Sequence, residues 1–167
     1  MTHPAAITIE ELLADCDIKK TRRGGPGGQH RNKVESAIVI THRPSKIIGQ
    51  AGERRSQHEN RAVAIERLRL NLALAIREPV TTDQQPSALW LSRRKGQQLS
   101  VSLEHHDFPA LLAEALDFLA AANFEITMAA ERLRVSASQL VKFLKSFPPA
   151  LQLLNGERDR RGLSRQQ

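Results

Sequence analysis

The spacing of apolar positions changes three times along the chain. Thr8-Ile9-Glu10-Glu11 carries a capping-box signature and predicts a short helix to about residue 14. Residues 16–21, 37–42 and 46–50 read as strands, the last two joined by Arg43-Pro44-Ser45 turn chemistry into a hairpin. From residue 53 to about 77 the period becomes helical, with Ala62, Ile65, Leu68 or Arg69, Leu72 and Ile76 on one stripe, until Pro79 ends it. Residues 79–88 form a polar, proline-bounded linker. Residues 89–103 alternate around Arg93-Arg94-Lys95-Gly96 and predict a second small hairpin. Helices follow at 108–122, 127–134 and 136–145, the first capped by Asp107 with Pro109 in its first turn, and Pro148-Pro149 is expected to stop the last.

The expected fold class is α+β: a small sheet packed by a long basic helix, then a helical segment resembling a helix-turn-helix. The expected divisions are 1–78, a linker with hairpin at 79–106, the helical segment 107–147, and a basic tail 148–167 whose last twelve residues are mobile. With 167 residues, one domain or one plus an appendage is expected. Five Phe, one Trp and no Tyr argue for an aliphatic core and against broad base stacking by exposed aromatics.

Charge sharpens this picture. The formal net charge is +7, and residues 17–78 hold 14 Lys/Arg against 6 Asp/Glu, while residues 79–167 hold 11 against 9. A cationic segment of this kind is either a solvated basic face or a surface for a polyphosphate partner. The lone Cys16 excludes an internal disulfide, fits a reducing compartment, and reads as a structural thiol among Leu12, Leu13 and Ile18. No stretch suits a membrane span and no leader pattern opens the chain, so the cytoplasm is expected. His30, His42, His58, His105 and His106 never form a ligand pattern, so neither a metal nor any other cofactor is expected.

Between the first two strands lies Arg22-Arg23-Gly24-Gly25-Pro26-Gly27-Gly28-Gln29-His30-Arg31-Asn32-Lys33. Its glycines match neither the Walker loop nor the dinucleotide fingerprint. Four glycines pinned by Pro26 and flanked by cations suit a main chain pushed into a crowded, anionic cavity. A short helical turn is expected over 32–36.

This segment resembles the catalytic domain of class I peptide chain release factors, through Gly27-Gly28-Gln29, His30, Asn32, Lys33, Ser36, the strand 38–42 with Pro44, and Glu53-Arg54-Arg55-Ser56-Gln57-His58-Glu59-Asn60 running into Ala62 and Ala64. The resemblance covers about residues 15–78. It implies hydrolysis of the peptidyl-tRNA ester in the ribosomal peptidyl transferase centre, with Gly27, Gly28 and Gln29 as catalytic residues. The Gln29 main-chain amide would donate to the oxyanion, and its side chain would admit water. Arg22, Arg23, His30, Arg31, Lys33, Arg54 and Arg55 become candidate contacts to ribosomal RNA or tRNA. Gln29 becomes a candidate for methylation by a glutamine methyltransferase.

Only about fourteen residues precede the catalytic segment, so no codon-reading domain is expected there. The layout resembles codon-independent factors that rescue stalled ribosomes, with Arg158, Arg160, Arg161 and Arg165 as candidate tail cations, and a monomer is expected. A second reading is a non-catalytic RNA-binding module that docks through the helix-turn-helix-like segment, using Ser136, Ser138, Gln139, Lys142 and Lys145, and a third is a sequence-specific DNA binder using the same segment.

Overall fold

A computed structural model describes residues 2–22 and 36–167. The chain is α+β and separates into two units, one of residues 7–72 and one of residues 1–6 with 73–167.

The first unit opens with α1 (Ile9–Ala14), started as its sequence predicts. Thr8 Oγ1 accepts from the Glu11 N–H at 3.2 Å, and Glu11 Oε2 accepts from the Thr8 N–H at 3.0 Å. Strands β1 (Cys16–Thr21), β2 (Ala37–His42) and β3 (Ile48–Ala51) form an antiparallel sheet in chain order. The third strand starts two residues later than its pattern suggests. Lys46, at φ 61, still belongs to the turn, which the Lys46 N–H closes on the His42 carbonyl at 2.8 Å. Arg43 ties this turn to the end of α1, donating to the carbonyls of Ala14 at 2.5 Å and Cys16 at 3.1 Å. Burial alternates along β2, with Ile38, Ile40 and His42 inside. The Cys16 thiol is buried, donates to the Leu12 carbonyl at 3.1 Å, and is pushed above its ordinary pKa by that burial, which keeps it unreactive.

Helix α2 (Gln57–Ala75) lies on this sheet. A Cβ on Gly49 would stand 2.2 Å from the Ala64 carbonyl oxygen and 2.5 Å from the Leu68 nitrogen, so backbone meets backbone there. The buried stripe is Asn60, Ala64, Leu68 and Leu72, one residue every four. Ala62, expected inside, is exposed, and Ile65 is half-buried. The helix starts later than residue 53 because residues 53–56 act as its anchor, described below.

The second unit is helical. Helix α3 (Ala88–Ser92) is capped by Ser87, whose hydroxyl accepts from the Trp90 N–H at 3.0 Å. This overrides the alternation that predicted a strand from residue 89. Only β4 (Arg94–Lys95) and β5 (Gln98–Leu99) form the hairpin, turning at Gly96 with φ 59. Helices α4 (Phe108–Ala121), α5 (Ile126–Arg132) and α6 (Ala137–Lys145) follow near their expected bounds. Asp107 precedes α4 but makes no side-chain cap, because its carboxylate is engaged by Arg93 Nε at 3.0 Å. The α5–α6 turn holds Arg134 in the left-handed region at φ 58.

Two further expectations change here. Pro148-Pro149 begins a helix, α7 (Pro148–Arg160), rather than only ending one, since proline at the first helical positions lacks only an N–H that would be unpaired anyway. The segment after Gly156 is ordered: Asn155 exchanges two hydrogen bonds with Gln166, at 2.7 and 2.9 Å, folding the terminus back onto α7. The core of this unit is also aromatic as well as aliphatic. Trp90 is buried, donates to the Leu133 carbonyl at 2.8 Å and meets Phe143 edge-on at 6.0 Å, with Phe108 4.9 Å from the same ring. All five Phe and the single Trp lie beyond residue 88, so a low average aromatic content hides a local concentration.

Candidate functional site

The connection between β1 and β2 has ends that face each other, with Thr21 paired to Ala37. Arg23, Gly27, Gly28, Gln29, His30, Arg31 and Lys33, and most of the turn expected at 32–36, lie outside the described residues. What is described is the base formed around the two ends of this connection.

That base is organised by Asn60, fully buried in the first turn of α2. Its amide donates to the Ser36 carbonyl at 2.6 Å and to the Arg54 carbonyl at 2.9 Å. Its oxygen accepts from the Arg54 N–H at 3.0 Å. Two carbonyl partners and one N–H partner fix which end of the side chain is which. One amide thus stitches the residue that follows the candidate segment to the loop that precedes α2. Gly52 packs there too: a Cβ on it would meet the Ala37 Cβ at 2.9 Å. Glu53 closes the loop from outside, accepting from the Gly52 N–H at 3.0 Å and from Arg67 at 2.6 Å. The Arg67 hydrogen bond, with the neighbouring backbone N–H groups, brings its carboxyl down to about 2.

Exposed Arg54 and Arg55 therefore stand beside the base, and Arg22, also exposed, directly follows the paired end of β1. Three of the predicted cations share one end of the sheet. Asn60 appeared in the sequence only as one letter of a motif. A polar residue in phase with Ala64, Leu68 and Leu72 was the signal that could have marked it as buried.

Other candidates serve structure. His105, His106 and Asp107 place three ligand-type atoms within 4.8 Å of one another. However, the Asp107 carboxylate binds Arg93, and His105 Nδ1 accepts from the Asp107 N–H at 3.2 Å. His42 is buried and bonded to Ser45 at 2.7 Å, with its pKa lowered by that burial. A cavity of about 510 Å³ in the second unit is lined by His3, Glu78, Glu114 and Asp117. Glu114 accepts from the Ser87 N–H and hydroxyl, each at 2.6 Å, and Asp117 accepts from the Glu78 N–H at 3.0 Å and from Arg77 at 3.3 Å. Of the tail cations, Arg158 is buried with its guanidinium held by backbone carbonyls, Arg160 and Arg161 pair with Glu157, and Arg165 lies 3.6 Å from Asp159. Among the described residues, no helix is long and apolar enough to cross a membrane.

Residues 5–104 match the RF-1 domain family. Peptide chain release factor 2 of Neorickettsia sennetsu is 52% identical over 66 residues, which are 40% of this chain and 18% of that protein. Peptide chain release factor 1 of Caldicellulosiruptor saccharolyticus is 46% identical over 66 residues, 40% of this chain and 19% of that protein. Peptide chain release factor 2 of Bordetella pertussis is 47% identical over 78 residues, 46% and 21% respectively. The chain spans about a fifth of the length of the curated relatives it matches.

Proposed function

The chain belongs to the RF-1 domain family, and from that premise we propose that it hydrolyses the peptidyl-tRNA ester on the ribosome, releasing the nascent peptide without reading a codon. The observation that carries this reading is Gly27-Gly28-Gln29 in the sequence between two strands whose ends are paired, where Asn60 stitches Ser36 to the loop before α2 and Arg22, Arg54 and Arg55 are exposed.

The chemistry needs little from side chains. Water attacks the ester carbonyl, a tetrahedral oxyanion forms, and the bond to the ribose oxygen breaks, leaving a peptide carboxylate and a tRNA hydroxyl. Gly27 and Gly28 let the main chain approach where a Cβ would not fit. The Gln29 N–H donates to the developing oxyanion, an interaction of about 2.7–4 kcal/mol in water-excluded sites. The Gln29 side chain selects water over larger nucleophiles and is the candidate site for a glutamine methyltransferase. Arg23, His30, Arg31 and Lys33, with the cations at the base, hold RNA phosphates. On this reading the protein works in the cytoplasm, in translation termination or the rescue of stalled ribosomes.

The test is peptide release from ribosomes that hold peptidyl-tRNA on truncated, intact or stop-ended messages. Wild type releases peptide regardless of the codon, while Gly28→Ala binds ribosomes equally but releases far less. Equal release by both proteins would refute the assigned chemistry.

A further inference from the structure

The exposed face of α6 carries Ser138, Lys142 and Lys145, four and then three residues apart, opposite the buried Leu140, Phe143 and Leu144. That stripe lines a groove of about 480 Å³, bounded on its other sides by the start of α5 and by residues of α7 and the folded-back terminus, including Arg158 and Gln166. A helix flanked in this way is poorly placed to enter a duplex groove, yet well placed to hold a strand.

The charges point to the sign of the occupant. Arg158 is 7% exposed. Its Nη1 donates to the Phe124 carbonyl at 2.6 Å and its Nε to the Ser164 carbonyl at 2.7 Å, so carbonyl dipoles rather than a carboxylate fix its head. Neither Lys142 nor Lys145 has an acidic partner among the described residues. The helix dipole accounts for two lysines in the last turn of α6. It does not account for a third, immobilised cation lining the same groove. Glu125 supplies a single opposing carboxylate, which leaves the lining net positive. A buried guanidinium without a counter-charge is costly, and an anion entering the groove would offset that cost.

We propose that this groove is a docking site for the phosphate backbone of a single RNA strand, with Lys142, Lys145 and Arg158 as its cationic contacts. The choice of RNA rests on the proposed function, which puts the protein among ribosomal and transfer RNA. Ile126, Ala137 and Val141 are the main apolar members of the lining, and they share it with the three cations.

The test uses the full chain and a fluorescein-labelled oligouridylate, titrated at several salt concentrations without ribosomes. Each phosphate contact on a single strand contributes about 0.7 to the log–log salt slope, so Lys142→Gln/Lys145→Gln flattens the slope by about 1.4. Both lysines are exposed, so the variant keeps the wild-type circular dichroism and unfolding midpoint. Glu125→Gln, which removes the opposing charge, tightens binding. An unchanged slope in the double variant with its fold intact overturns the proposal. So does polyglutamate competing for the groove as well as oligouridylate does, since that result assigns it to an acidic protein segment. Because no ribosome is present, this result is independent of peptide release: Gly28→Ala could lose release while the slope difference persists.

Discussion

Replacing Asn60 tests how the candidate segment is held. Asn60→Ala leaves three backbone groups without their partner: the carbonyls of Ser36 and Arg54 and the Arg54 N–H. A buried polar group left unpaired costs about 1–3 kcal/mol. These groups belong to a loop edge that water can partly reach once the side chain is gone, so the expected loss is about 2–4 kcal/mol rather than the full sum. Asn60→Asp is the sharper probe. It keeps an acceptor for the Arg54 N–H but turns a carboxylate oxygen toward two carbonyl oxygens 2.6 and 2.9 Å from the native amide nitrogen. At neutral pH this buried charge faces repulsion as well as lost bonds, so the aspartate variant is less stable than the alanine one. In acid its carboxyl protonates and regains one donor. The folded-state pKa of the introduced group is raised, so its stability is highest below the ordinary carboxylate range and falls as pH climbs through the raised value. Urea unfolding of both variants at pH 4 and pH 7 reads this directly. Peptide release by Asn60→Ala should show a lowered turnover with ribosome affinity retained, because the exposed cations remain. An aspartate variant as stable as the alanine variant at pH 7 would refute the hydrogen-bond geometry on which this reasoning rests.

Gly49→Ala places a methyl 2.2 Å from the Ala64 carbonyl oxygen, with only backbone and a Leu68 Cβ to move, so thermal unfolding should show a loss of at least about 1–3 kcal/mol. Asp117, buried and held by Arg77 and the Glu78 N–H, has its carboxyl pushed up to about 6 by burial. A raised acid favours the folded state below the unfolded value of 3.8 and loses that contribution as pH rises through about 6. Across that window wild type should therefore lose stability relative to Asp117→Asn, by up to about 3 kcal/mol at 1.36 kcal/mol per pKa unit, and a pH-independent difference would contradict it.

Much of this fold is legible in the chain because its signals are local. The Thr8–Glu11 capping box, the strands at 16–21 and 37–42, and the Ser136-led helix each follow from a few neighbouring residues, and the structure places them within a residue or two of expectation. The misreadings arise where a distant partner decides. Residues 89–92 alternate like a strand, yet Glu114 holds Ser87 so that its hydroxyl caps a helical turn, and Trp90 buries its ring with a hydrogen bond to Leu133. Arg158 reads as one of four tail cations, yet the carbonyls of Phe124 and Ser164 draw it inside.

The same distinction governs the site. A glycine-rich tripeptide is visible in the sequence because the chemistry proposed for it requires a bare main chain, which few other purposes do. The packing that fixes Ser36 is hidden, because Asn60 and Gly49 act through the backbone of other segments. Asn60 serves the carbonyls of Ser36 and Arg54, and Gly49 yields space to α2 so that Ala64 can lie flat on the sheet. Were Gly49 larger, α2 would have to lift, carrying Asn60 away from Ser36 and loosening one end of the connection that holds Gly27-Gly28-Gln29. Packing on β3 and the proposed positioning of the tripeptide are thus linked through a single helix, so substitutions at Gly49 and Asn60 should prove non-additive in stability, as residues sharing one rigid element do.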